Sequence, residues 1–177
     1  MELFVIGIDP GPEQSALVML DQDYVVRAHD YDDNLKLCQF LESLCSEIAT
    51  APYLAIEMVT RYGANTGESV FNTAKAIGWF ERSFRGLYSS EMYNARLYLY
   101  LRSPIRSWFG VRKKASMGAP LKDRFGEAKK GHPLEGITKH KWDALAVAVY
   151  HLDGLKMALA KDKPLSDFGF NNVMIKS

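Results

Sequence analysis

The run Phe4-Val5-Ile6-Gly7-Ile8 is the feature that most restricts how this chain can fold. It is continuously apolar and rich in β-branched residues, so it reads as a strand buried on both faces. A sheet built around such a strand needs cover on both sides, which makes an α/β architecture the natural solution. The run stops at Asp9-Pro10-Gly11-Pro12, where proline ends the ladder and glycine frees a turn. A carboxylate is thereby delivered to the end of a buried strand.

The rest of the chain supplies the partners this strand requires. Residues 15–20 and 24–31 are two further strand candidates joined by the short break 21–23, which predicts an antiparallel hairpin. Asp32 or Asp33 then offers an N-cap for a helix whose apolar positions, Leu37, Cys38, Leu41, Leu44, Cys45 and Ile48, recur at steps of three and four. The two cysteines sit on that apolar stripe as small hydrophobes, with no disulfide expected. Residues 53–58 form a fourth strand, 68–84 a helix, 87–93 a fifth strand, and 139–160 a closing helix. The expected fold is α/β, a mixed five-stranded sheet with helices on both faces. One domain spans residues 1–160, followed by a loose tail over 161–177. The apolar N-terminal run is too short for a membrane span or a signal peptide, so a cytoplasmic protein without membrane attachment is expected.

Three acids and an imidazole gather at one predicted edge. Asp9 ends the first strand and Glu57 ends the fourth. If a helical crossover makes these strands parallel, both emerge at the carboxyl edge, where sites form in open α/β sheets. His140 and Asp143, three apart at the start of the last helix, share one of its faces. Each alone has a plainer role: Asp9 as a turn residue, Glu57 as half of an ion pair, Asp143 as an acid at a helix N-terminus, His140 as a surface side chain. Together they need a cation to offset their repulsion. Oxygen-rich ligands suit Mg²⁺ or Mn²⁺, and an imidazole is better tolerated by Mn²⁺. Two such ions suit phosphodiester hydrolysis.

Charge is distributed unevenly along the chain. Residues 1–60 hold two basic against eleven acidic side chains, whereas residues 96–141 hold twelve basic against three acidic. The basic block either neutralises the acidic half or meets a polyanion. On the second reading Arg102, Arg106, Arg112, Lys113, Lys114, Lys122 and Arg124 contact phosphates, with Tyr98, Tyr100, Trp108 and Phe109 packing on bases or sugars. Lys113 and Lys114, beside the small-residue stretch 115–118, are candidates to neutralise charge on a scissile phosphate. Arg61 and Tyr62, in the loop after Glu57, form a candidate wedge that stacks on an exposed base.

The same residues resemble a known family. Ile6-Gly7-Ile8-Asp9-Pro10-Gly11 is similar to the opening strand of RuvC-type Holliday-junction resolvases, of the ribonuclease H-like fold. Ala55-Ile56-Glu57 resembles their second acidic motif, and His140-x-x-Asp143-Ala144-Leu145-Ala146 their C-terminal helix. Tyr93-Asn94-Ala95-Arg96 looks like the stretch after the family's fifth strand. The resemblance runs over about residues 3–154, and the segment 119–126 looks closer to the smaller phage-type members. It implies a homodimer that cuts four-way DNA junctions with Mg²⁺ or Mn²⁺. Asp9, Glu57, His140 and Asp143 are then the ligands, with histidine standing where aspartate is commoner. Two alternatives share parts of this pattern: a YqgF-type nuclease acting on structured RNA, and an ATP-binding domain of the actin and sugar-kinase type. The second normally needs two such domains around its nucleotide.

Overall fold

A computed structural model describes residues 2–59, 67–112 and 115–170. Its centre is a sheet in the order β3-β2-β1-β4-β5. The strands are β1 (Phe4–Asp9), β2 (Gln14–Asp21), β3 (Val26–Asp33), β4 (Tyr53–Met58) and β5 (Leu97–Leu101). β1, β2 and β3 form an antiparallel meander, while β4 and β5 run parallel to β1. β1 is thus central, as its unbroken apolar run requires.

Alternation along the strands divides the core in two. Ile6, Ile8, Leu54, Ile56, Leu97 and Leu99 face helices α1 (Asn34–Glu47) and α2 (Glu68–Leu87). α1 is capped by Asp33, whose side chain accepts from Leu35 N, and it buries the predicted stripe of Leu37, Cys38, Leu41, Leu44 and Cys45. Both cysteines are free thiols. The opposite face presents Val5, Ala55 and Tyr100 to the long helix α6 (Lys141–Lys161).

α6 crosses β1 at very short range. A Cβ on Gly7 would lie 2.3 Å from Ala144 O and 2.6 Å from Ala148 N, so only glycine fits there. Every residue of α6 from Ala144 to Leu155 is buried. The outer side is covered by Ile105 of α4 (Arg102–Trp108), by Leu121 of α5 (Gly118–Phe125), and by Leu134 and Ile137. The basic block is therefore a layer over α6.

Two expectations are corrected. The fifth strand lies at 97–101 rather than 87–93, because Ser89 caps a short helix, α3 (Ser90–Arg96), through Met92 N. Tyr93–Arg96 consequently precedes β5 instead of following it. The tail is also not loose through residue 170. A 3₁₀ turn at Leu165–Phe168 packs on α6, and Phe170 is buried against Trp108 and Tyr150. Among the described residues, no helix is long and apolar enough to cross a membrane.

Candidate active site

The strand period that builds the core also builds the site. Gly7 and Ala55 face α6, so Asp9 and Glu57, two residues on in each strand, face the same side at the carboxyl ends. Parallel register pairs Ile8 with Ile56, which brings the two acids level. Asp143 enters from the first turn of α6, one residue before the Ala144 that rests on Gly7. The contact at Gly7 thus fixes the third carboxylate relative to the first two. The turn after Asp9 is tied down as well. Gly11 N donates to Ser15 Oγ (3.0 Å), Ser15 Oγ donates to Asn34 Oδ1, and Asn34 Nδ2 donates to Gly11 O (3.1 Å).

A cation already stands among these acids. Arg102, the residue that follows β5, places Nε 2.9 Å from Glu57 Oε1 and Nη2 3.8 Å from Asp143 Oδ1. His140 is more peripheral. Its ring stacks on Tyr31 at 5.1 Å, and its Nδ1 is 3.9 Å from Asp9 Oδ2.

The electrostatics are those of acids crowded out of water. Burial, followed by the charges of Glu57 and Asp143, holds the Asp9 carboxyl well above its usual range, and Arg102 opposes the shift. Burial also raises Glu57 to about 7, with Asp143 adding to the rise and Arg102 working against it. With all three acids ionised, the cluster would carry more negative charge than one guanidinium offsets, and that repulsion is part of what resists their ionisation. Hard carboxylate oxygens of this kind suit Mg²⁺ or Mn²⁺, and Arg102 stands where a cation shared by Glu57 and Asp143 would sit. Among the described residues, no group of three or more His, Cys, Asp or Glu side chains is arranged to hold a metal ion as it stands. The donor chemistry fits, and the acids have to draw together.

Beside the cluster lies a cleft of about 880 Å³, lined by Arg102, Arg106, Lys139, His140 and Asp143 together with Ser103, Ser107 and Ser116. Cations and hydroxyls lining the cleft, with Asp143 as its one acid, make a surface suited to a phosphodiester chain.

The predicted basic contacts divide between this cleft and the interior. Arg102 sits on the carboxylates. Arg106 lines the cleft and donates to the carbonyls of Arg112 and Ala115 (2.7 and 2.6 Å), so it also holds the loop between α4 and α5. Lys122 pairs with Glu127 at 3.1 Å. Arg124 is turned inward, its fork gripping both oxygens of buried Asp153 at 2.6 and 2.7 Å. Of the expected aromatic platform, Tyr100 turns into the interior while Trp108 keeps an exposed face. Tyr100 is buried and shares a hydrogen bond with His151 Nδ1, Tyr98 packs on that ring, and Trp108 Nε1 donates to Asp153. Arg61, Tyr62, Lys113 and Lys114 lie outside the described residues. Sequence reasoning missed Arg102 as a partner of the acids and Asp153 as an anchor. Neither belongs to a motif, and only the position of Arg102 directly after β5 could have placed it at the same edge.

No protein-family model matches this sequence, and no curated protein matches it. Solved structures do. Thermus thermophilus RuvC in complex with a Holliday-junction substrate superposes with a TM-score of 0.61 at 15% identity, over 88% of this chain and 96% of that one. A second structure of the T. thermophilus protein gives 0.57 at 16%, over 88% and 97%. The chain therefore has the ribonuclease H-like fold of RuvC, with nearly the whole of each molecule included.

Proposed function

We propose, from this shared fold, that the chain is a divalent-metal-dependent endonuclease that cuts DNA at four-way junctions. The observation that carries the reading is the convergence of Asp9, Glu57 and Asp143 at the carboxyl edge of the sheet, beside a cleft lined with Arg102, Arg106 and Lys139. On this reading Asp9, Glu57 and Asp143, with His140 at the rim, hold one or two Mg²⁺ or Mn²⁺ ions. Such ions, when bound, activate water and stabilise a leaving oxygen in phosphodiester hydrolysis. The chain's own residues bring the strand to the acids. Arg106 and Lys139 meet backbone phosphates along the cleft, and Arg112 extends that surface. Burial at the strand ends strengthens each charge interaction there. Lys113, Lys114, Arg61 and Tyr62 complete the proposed DNA surface, with Tyr62 as the candidate wedge and one of the lysines as a candidate catalytic cation.

Symmetric cutting of a junction needs two sites related by a two-fold axis, so the proposal includes a homodimer. α2 is the proposed interface. Ile77 and Phe80 of that helix are buried within the chain, but Phe71 is 74% exposed. Ala74, Lys75 and Gly78 continue the exposed stripe at helical spacing.

A substrate panel tests the function. The purified chain, with Mn²⁺, is given a labelled synthetic four-way junction, the matching linear duplex and a structured RNA. Cleavage of the junction alone is expected, and EDTA should stop it. Cutting of RNA but not of the junction would favour the YqgF-type alternative.

A further inference from the structure

We propose that Arg102 is a resident counterion that competes with divalent cations for Glu57 and Asp143, and that its guanidinium passes into the adjoining cleft when ions load, there to meet a backbone phosphate. The inference rests on the metal-dependent reading above and goes beyond it by making ion loading and DNA binding depend on one another. Three observations carry it.

The first is position. Arg102 bridges Glu57 and Asp143 at 2.9 and 3.8 Å, where a divalent ion shared by those carboxylates would also have to sit. An ion bound at about 2.1 Å from a Glu57 oxygen would lie within a few ångströms of the guanidinium, and two like charges at that range in a half-buried site repel strongly. Arg102 and the ion are therefore alternatives.

The second is access. Arg102 lines the large cleft and also two smaller hollows, one with Asp9, Tyr31 and His140 and one with Asp9, Glu57 and Thr73. Its side chain is 43% exposed, while that of Glu57 is only 11% exposed. A long side chain at the meeting point of three hollows can change its seat by rotamer moves alone, with β5 and α4 left in place.

The third is the chemistry of the other seat. The cleft already holds Arg106, Lys139 and the hydroxyls of Ser103, Ser107 and Ser116. A second guanidinium is unwelcome among those cations unless an anion joins them. A phosphodiester is such an anion, and a guanidinium is well shaped to receive it. Phosphate in the cleft thus draws Arg102 away from the acids, and a cation on the acids releases Arg102 toward phosphate. By linkage each event favours the other.

The test uses the full chain and Mn²⁺ as the probe, with affinity read from the electron paramagnetic resonance of free Mn²⁺. Arg102→Gln should bind Mn²⁺ about 2- to 5-fold more tightly than wild type, the range for a partly exposed charge pair. Asp143→Asn should bind it more weakly. A labelled linear duplex, which a junction-selective enzyme leaves intact, reads the second seat. Arg102→Gln should match wild type in EDTA and bind this duplex about 3- to 5-fold more weakly in Mn²⁺. Equal Mn²⁺ affinity in wild type and Arg102→Gln would overturn the proposal. So would an equal loss of duplex affinity in both buffers, which would make Arg102 a plain phosphate contact. If Asp143→Asn weakens Mn²⁺ binding while Arg102→Gln leaves it unchanged, only this inference fails. If no Mn²⁺ binding depends on Asp143, the metal-dependent reading fails with it. Should Arg102→Gln lack a cooperative melt, Arg102→Lys is read instead, because it keeps the charge but loses the bridging fork. Tighter Mn²⁺ binding than wild type supports the proposal, and equal or weaker binding overturns it.

Discussion

Glu57 shows at the scale of one residue how a site can be held against the preference of its own groups. It lies at the end of a buried strand with Asp143 nearby, and its carboxyl is raised to about 7, chiefly by burial. Ionisation is therefore harder in the folded chain than in the unfolded one. The stability this group contributes is full below its ordinary value of 4.5 and is lost as the pH rises through about 7. Glu57→Gln removes that titration. In EDTA its unfolding free energy, and with it the melting temperature, should approach that of wild type near the acid end of this window; above it the variant should be the more stable by ~2 kcal/mol. Relief of Asp9, whose own carboxyl is raised partly by Glu57, acts in the same direction. Thermal melts of both proteins across that range measure the gap. A gap independent of pH would mean that Glu57 is not under this strain.

Elements place those residues, and one buried acid far from the site shows how. Asp153 of α6 accepts from Arg124 of α5, from Trp108 of α4 and from Tyr24 in the β2–β3 connection, at 2.6 to 2.8 Å. The basic layer that lines the cleft is fastened to α6 through it. Asp153→Ala leaves a guanidinium, an indole N–H and a phenol without their acceptor. It should cost about 3–5 kcal/mol in denaturant unfolding, whereas a cost below about 1 kcal/mol would mean that the layer holds without it. The sequence made much of the architecture legible, since it depends on local period. The β1 run, the β4 span, the α1 stripe and the strand-end positions of Asp9 and Glu57 can all be read within windows of a few residues. What was not legible depends on contacts distant in sequence. Leu97–Leu101 became β5 because Ser89 opens a helix ahead of it, although 87–93 is equally aromatic. Arg124 reads as a surface cation until Asp153, 29 residues later, is seen to face it. Arg102 reads as one more member of a basic block until the parallel register of β4 and β5 sets it beside Glu57.

The whole molecule combines an acidic sheet edge with a basic layer folded over its last helix, and the cleft lies where the two meet. That arrangement accounts for the segregation of charge along the chain. The basic block neither simply balances the acidic half nor stands wholly free for a polyanion. Arg124 and Lys122 are occupied by acids of the chain itself, while Arg106 and Lys139 border the cleft. The central claim is that Asp9, Glu57 and Asp143 form a hydrolytic centre for junction DNA, and Asp143 tests it best, being the most accessible of the three and the one contributed by α6. The measurement is the single-turnover cleavage rate of a labelled four-way junction in Mn²⁺ by wild type and Asp143→Asn, with junction affinity read on the same samples. The account predicts nearly unchanged binding and a cleavage rate lower by about 100-fold or more. Cleavage at the wild-type rate by Asp143→Asn would contradict it.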